Sequence, residues 1–377
     1  MKILKISYEF PPIGGGGSRV VHGLARQLVQ LGHSVDLVTM SFRDLPKFEV
    51  VDGIKVHRIP CIRMSESICR PYEMATYLVS ATPAINRLTR ENQYDINHTH
   101  FIFPDALMST RIRRRSGLPF VVTAHGSDVP GYNPNRFTGL HRILKPIWKN
   151  VVESADRVIS PSNRLAELIR IHNEQAELEI IPNGIEIPDF DYSKRKTNRV
   201  LVVSRIFARK GIQHLLYALD GLEDPITVDI VGEGPHLSEL KNIAKGLRTQ
   251  SEIRFHGWID NESPRLREMY ENANIFILPS ESENFPIVLL EAMSANLAVI
   301  TTEGTGCEEV VGNAGVLVPP NDSESLRRSL IKLINNPELC VELGRAARDR
   351  LEKNFGWEVV TNQYIQVYKD VIGRTQK

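Results

Sequence analysis

Two glutamates set the first question. In SESENFPIVLLEAM, residues 280–293, Glu291 stands inside an apolar run, and Glu283 stands eight positions before it at the mouth of the same segment. An ionised carboxylate withdrawn from water is costly unless something pairs with it or hydrogen-bonds to it. Leu278 closes a β-type run, Ser280–Phe285 reads as a loop, and Pro286 suits the first position of a helix. Glu283 therefore falls in the loop above a helix N-terminus, and Glu291 in the second turn. A helix N-terminus favours phosphate. A ligand with its diphosphate there would reach Glu283 at one end and Glu291 at the other. A ribose diol could give Glu291 two hydrogen bonds. The plain alternative is an ion pair with an Arg or Lys of the same domain.

Other segments carry compatible chemistry. VSRIFARKG places Arg205 and Lys210 directly after a β-type run. Two cations on a short loop before a helix make a diphosphate clamp, with Arg giving forked bonds and Lys a point charge. Solvated loop charges are the alternative. PPIGGGGSR puts Gly14, Gly15, Gly16 and Gly17 between the first strand and the first helix. Such a run lets backbone N–H groups come close to an anion, and it could also be a simple turn. It does not fit the dinucleotide pattern G-x-G-x-x-G with an acidic strand end. In VVTAHGSD, His125 stands at a strand end, where it suits a ligand hydrogen bond or a capping role. IVGEGP, with Gly232 and Gly234, is a strand followed by a tight turn that could approach a base or ribose through backbone.

These residues need a scaffold that gathers strand ends. The first half alternates β-type runs with amphipathic segments: Lys2–Ser7, Ser34–Thr39, Ile54–Ile59, Asp95–His98, Phe120–Ala124, Arg157–Ser160 and Leu178–Ile181. Between the first two, Val20, Val21, Leu24, Leu28 and Leu31 keep helical spacing until Gly32 stops it. The second half repeats the scheme at Arg199–Val203, Thr227–Val231, Glu252–Phe255, Ile275–Leu278, Val299–Thr301 and Val316–Val318. Alternation of this kind predicts parallel sheets with helices on both faces. We expect two doubly wound, Rossmann-like domains facing each other across a central cleft. The first covers residues 1–190 and the second 198–356, joined by the polar stretch Ile185–Asn198. The helical segment 357–377 is expected to pack back on the first domain. Ligands of such sheets sit beyond the strands' carboxyl ends.

Totals narrow the class. The chain has 377 residues and a formal net charge of +1, so no overall pull toward nucleic acid is expected. No apolar run is long enough to span a membrane, and the N-terminus does not look like a secretory leader. Four cysteines show neither metal spacing nor a dense disulfide pattern, so a reducing cytoplasm is expected. No acidic cluster suggests an obligatory metal.

Together these motifs resemble the large retaining glycosyltransferase family 4 (group 1), with its GT-B fold. The resemblance spans nearly the whole chain. It rests first on Glu-x7-Glu (Glu283 to Glu291), then on Arg205-x4-Lys210, and more weakly on the glycine loop, AHGSD, PNGI at 182–185 and GEGP. It implies that Glu291 binds the nucleotide ribose, Arg205 and Lys210 hold the diphosphate, Glu283 contacts the donor sugar, and His125 reaches a donor-sugar hydroxyl from the other domain. Asn284, Phe285, Pro286 and Ile287 count with the donor site. Asn284, Asn296, Ala298 and Glu308 depart from the family's usual residues, which puts loop shape and donor preference in question. The expected reaction moves a sugar from a nucleoside diphosphate sugar to a hydroxyl acceptor with retention, and needs no cofactor. A sugar-nucleotide epimerase and a non-enzymatic nucleotide-sugar-binding protein are the competing classes. Arg111-Ile112-Arg113-Arg114-Arg115 and the segment 140–152, with Arg142, Lys145, Trp148 and Lys149, suggest a basic surface for peripheral membrane contact and a lipid-linked acceptor.

Overall fold

The strand–helix alternation closes into two separate sheets. The computed structural model describes residues 1–66, 68–132 and 138–375, with the side chains of 138–143 left undescribed, so the Arg142 charge lies outside the described set. The chain divides into one unit of Met1–Gly184 with Trp357–Lys377 and a second of Ile185–Gly356.

In the first unit the strands are β1 (Lys2–Ile6), β2 (Ser34–Met40), β3 (Phe48–Val51), β4 (Ile54–Ile59), β5 (Ile96–His100), β6 (Phe120–Thr123), β7 (Arg157–Ser160) and β8 (Leu178–Ile180). Their order is β3-β4-β2-β1-β5-β6-β7-β8. All pairings are parallel except β3 with β4. The antiparallel edge strand departs from the purely parallel expectation. Its cause is local: Asp52 and Gly53 both take positive φ (49° and 79°), the two-residue hairpin turn that matches strand twist.

The second unit holds β9 (Arg199–Val203), β10 (Thr227–Val231), β11 (Glu252–Gly257), β12 (Ile275–Leu278), β13 (Ala298–Thr302) and β14 (Val316–Val318), ordered β11-β10-β9-β12-β13-β14. Along β9 the faces alternate. Val200 and Val202 pack into one core with Leu215 and Ile230, and Leu201 and Val203 into another with Phe276 and Leu289. A strand buried on both faces must be apolar throughout, which is why this run was readable. Each sheet reverses direction once, between β1 and β5 and between β9 and β12. Those are the positions where open parallel sheets leave a crevice.

Residues 185–198 belong to the second unit. Ile185 bridges to Gly356, the Lys196 N–H donates to the Asn272 carbonyl at 3.0 Å, and Arg195 donates to the Asn296 carbonyl at 2.9 Å. The last helix, Trp357–Thr375, packs on the first helix, Gly16–Gln30. Trp357 lies where a Cβ on Gly23 would come within 2.2 Å of Cζ2 and a Cβ on Gly184 within 2.3 Å of Cε3. Two glycines thus make the slot for one indole.

Candidate functional site

In the second unit, the carboxyl ends of β9 and β12 bring most candidates together. After β9 the chain makes one tight turn at Ala208–Lys210 and enters the Ile212–Leu219 helix through Gly211. Gly211 sits at φ +71°, and a Cβ there would lie 1.9 Å from the Pro279 carbonyl oxygen. The β9 exit loop is therefore pressed on the β12 exit loop. The Glu281 N–H and the Ser280 hydroxyl both donate to the Arg209 carbonyl, at 2.9 and 3.1 Å. Across this seam the Lys210 ammonium donates to the Glu283 carboxylate, and the two side chains are 12% and 11% exposed. Residues expected at different parts of one donor thus touch each other. Glu283 also helps push the nearby Cys307 thiol up to about 11, after burial as the larger cause.

Arg205 is exposed, with its guanidinium 5.9 Å from the Phe207 ring centre. Arg209 lies 5.9 Å from the same ring and donates to the Ser282 carbonyl at 3.4 Å, a third cation that the Arg-x4-Lys spacing did not single out. The loop that carries Glu283 is held from behind. The Thr302 hydroxyl donates to the Ser280 carbonyl at 2.6 Å, and the Gly306 N–H to the Glu283 carbonyl at 2.9 Å. Asn284 is buried beside Gly306. Phe285 packs into the core edge-on to Phe355, with ring centres 5.5 Å apart. Its side chain is thereby committed to packing, and only its backbone remains for a ligand.

Pro286 is the extended residue preceding the helix, one position earlier than expected, and the helix runs Ile287–Ser294 with Ile287 partly packed on the core. Glu291 is half-buried in its second turn. Its placement is less costly than the sequence suggested, because the Tyr270 hydroxyl donates to Oε2 at 2.9 Å. Tyr270 is itself buried on the Pro264–Asn272 helix, stacked on Phe276. Periodicity alone makes Tyr270 a core residue, so sequence reasoning passed over it.

The GEGP turn has a packing explanation. A Cβ on Gly232 would lie 1.9 Å from the Ser204 carbonyl oxygen, and one on Gly234 2.1 Å from that of Ile206. These glycines let the β10 exit close on the β9 exit, whatever else they approach.

The first unit gathers the remaining candidates at its own switch point. Gly14 takes φ +106°, where a Cβ would lie 2.7 Å from Glu9 Oε2. Its N–H donates to the Glu66 carbonyl at 2.9 Å, so that amide is spent within the protein. Gly15 precedes the helix, and Gly16 and Gly17 form its first turn. N–H groups there lack intrahelical acceptors. A Cβ on Gly17 would sit 3.1 Å from the Phe101 ring and 3.6 Å from His125 Nδ1, so the glycine loop and His125 are neighbours. The His125 Nε2 lies 3.1 Å from His100 Nδ1, and its ring packs on Phe101. Burial, and secondarily the charge of Lys5, pushes His125 down to about 3. It is neutral at ordinary pH. Asp128 is a strut: it accepts from the N–H groups of His125 (3.0 Å) and Ile102 (2.7 Å). Burial raises its carboxyl above the usual range.

The basic segments are partly occupied. Arg113 pairs with Asp156 at 2.8 Å, Arg114 donates to Asn150 and Arg115 to Asn86. Lys149 pairs with Glu153 at 3.6 Å, and Lys145 is exposed. Trp148 is buried, with its indole N–H donating to the Asp128 carbonyl at 3.0 Å, so it is no surface anchor. Among the described residues, no helix is long and apolar enough to cross a membrane, and no group of three His, Cys, Asp or Glu could hold a metal ion.

Comparison with known proteins bears on both units. The model "Glycosyltransferase Family 4" matches residues 14–188, and "Glycosyl transferases group 1" matches residues 186–350. The N-acetyl-alpha-D-glucosaminyl L-malate synthase of Bacillus anthracis is 26% identical over 98% of this chain and 97% of its own. The GPI3 subunit of phosphatidylinositol N-acetylglucosaminyltransferase from Saccharomyces cerevisiae is 24% identical over 97% of this chain and 81% of its own. Among solved structures, sucrose-phosphate synthase from Thermosynechococcus elongatus superposes with a TM-score of 0.83 at 23% identity, over 99% of both chains. Anabaena HepE in complex with UDP-glucose gives 0.74 at 16% identity, over 98% of this chain and 100% of its own. With two family models in tandem from residue 14 to residue 350 and whole-chain likeness to these enzymes, the chain belongs to glycosyltransferase family 4, group 1, and has the GT-B fold.

Proposed function

We propose that the protein transfers a sugar from a nucleoside diphosphate sugar to a hydroxyl acceptor, with retention at the anomeric carbon. The observation that carries this is the seam at the ends of β9 and β12, where Lys210 meets Glu283 above the helix bearing Glu291. In this reading Arg205 and Lys210 hold the diphosphate and stabilise the charge that grows as the glycosidic bond breaks. Glu291, steadied by Tyr270, takes the ribose. Glu283 contacts the donor sugar. His125 and the first-turn amides of Gly16 and Gly17 contribute from the first unit, which takes the acceptor. Diphosphate is a fair leaving group, so little acid–base chemistry is required of side chains. Front-face attack, with the departing phosphate accepting the acceptor's proton, gives retention.

The UDP-glucose bound by HepE supports a nucleotide-sugar donor. The GPI3 relative, by its name, modifies phosphatidylinositol, which supports a lipid-linked acceptor and peripheral contact with the inner face of a membrane. The test is a panel of nucleotide sugars screened by thermal shift, followed by release of nucleoside diphosphate with and without alcohols and glycolipids. Acceptor-dependent release, with an α-linked donor giving an α-linked product by NMR, is expected. Inversion would overturn retention, and donor isomerisation without acceptor would make the protein an epimerase. Failure to co-sediment with anionic vesicles at low salt would remove the membrane contact.

A further inference from the structure

β5 is an unusual central strand. It reads Ile96-Asn97-His98-Thr99-His100, and all five residues are buried. Polar groups in such a place must find partners. The Asn97 amide donates to the Leu4 carbonyl at 2.9 Å, and Thr99 bonds to Ser109. His98 is engaged at both nitrogens: Nδ1 with the Tyr368 hydroxyl at 2.6 Å and Lys5 Nζ at 3.1 Å, and Nε2 with the Thr123 hydroxyl at 2.9 Å. His100 is engaged at one. Its Nδ1 lies 3.1 Å from His125 Nε2, and its buried Nε2 has no hydrogen-bond partner among the described residues.

We propose that His100 is a positioning residue that keeps the proton of His125 on Nδ1, so that His125 presents an N–H donor on the side of the glycine loop. Burial keeps both rings neutral, so each carries one proton and one proton lies between them. If His125 donated from Nε2, the proton of His100 would have to sit on its buried Nε2 and face no acceptor, and a buried N–H without an acceptor is rare. If His100 donates from Nδ1, only a lone pair is left there. His125 then carries its proton on Nδ1, the atom 3.6 Å from where a Gly17 Cβ would be. Phe101, held at φ +72° and packed at a tilt against His125 with ring centres 4.4 Å apart, keeps the imidazole from turning over. The first-turn amides and His125 then all offer N–H groups, which suits phosphate or sugar oxygens and excludes His125 as a base. The identity of that ligand rests on the proposed function, whereas the proton position does not.

The experiment is a two-bond 1H–15N correlation spectrum of the full chain labelled with 15N-histidine, with His125 assigned through the signal lost in His125→Asn. The Nδ1–H pattern is expected in the unaltered protein and in His100→Asn, whose side-chain amide N–H can occupy the place of Nδ1. In His100→Phe the pattern should move to Nε2–H or average, and kcat should fall about tenfold while His100→Asn keeps most of its rate. An Nε2–H pattern in the unaltered protein overturns the proposal whether or not any donor is turned over. An Nδ1–H pattern that persists in His100→Phe overturns the role of His100, as does an unchanged kcat. Absence of turnover with every donor would sink the transfer reading and leave the tautomer standing.

Discussion

Lys210 and Glu283 partner each other, and this fixes the sign of one prediction. In the proposed reading, a diphosphate takes Lys210 over from the carboxylate. Glu283→Gln should therefore bind free nucleoside diphosphate more tightly, by a few-fold to about tenfold, while kcat falls. Calorimetric titration beside initial rates checks both, and weaker binding in this variant would mean that the pair is purely structural. Tyr270→Phe should act differently. It removes one hydrogen bond to Glu291, so affinity for the same ligand should drop about two- to tenfold with kcat at saturating donor nearly unchanged. An affinity equal to that of the unaltered protein would detach Glu291 from the ribose. His125 stays neutral down to about 3 because it is buried. The ratio of the rates of the unaltered protein and His125→Asn should therefore be flat from about pH 5 to 8, and an inflection near the ordinary histidine value of about 6.5 would show that the ring titrates during turnover.

At the scale of elements, the slot around Trp357 is the point where the last helix is fastened to the first unit. Gly23→Ala would place a methyl 2.2 Å from the indole. Overpacking of this kind costs about 1–3 kcal/mol, so thermal unfolding should begin several degrees lower, and an unchanged midpoint would mean that the indole shifts without cost. Strands such as β9 and β12 were legible because burial on both faces demands unbroken apolar runs. β3 was not, being a short, half-exposed edge, although Asp52-Gly53 carried the hairpin signal. The strand pattern of β5 fades two residues before its carboxyl end at His100, because Thr99 and His100 do not look like core. For the site, residue type and spacing singled out Glu283, Glu291, Arg205 and Lys210. The contacts that organise them join positions 73 residues apart, in Lys210 with Glu283, and 21 apart, in Tyr270 with Glu291. No local pattern encodes such pairs.

At the scale of the molecule, each unit has its own sheet and its own switch point. The second unit alone holds Arg205, Lys210, Glu283 and Glu291. Binding of a free nucleoside diphosphate is therefore expected to depend on residues of that unit, and transfer on residues of both. The central claim is that the cations at the β9 exit act on the departing diphosphate. Its most direct test is kcat at saturating donor for Arg205→Ala, Lys210→Ala, the double variant and Arg205→Lys, with circular dichroism to verify folding. Each charge-assisted bond is worth about 1.5–3 kcal/mol. Each single alanine variant should then lose at least about tenfold in kcat. The double variant should lose less than the product of the single losses, since both cations act on one group, and Arg205→Lys should recover only part of the rate, since an ammonium cannot make the forked contact. Near-normal kcat in both single alanine variants would contradict the account and make these residues solvated loop charges.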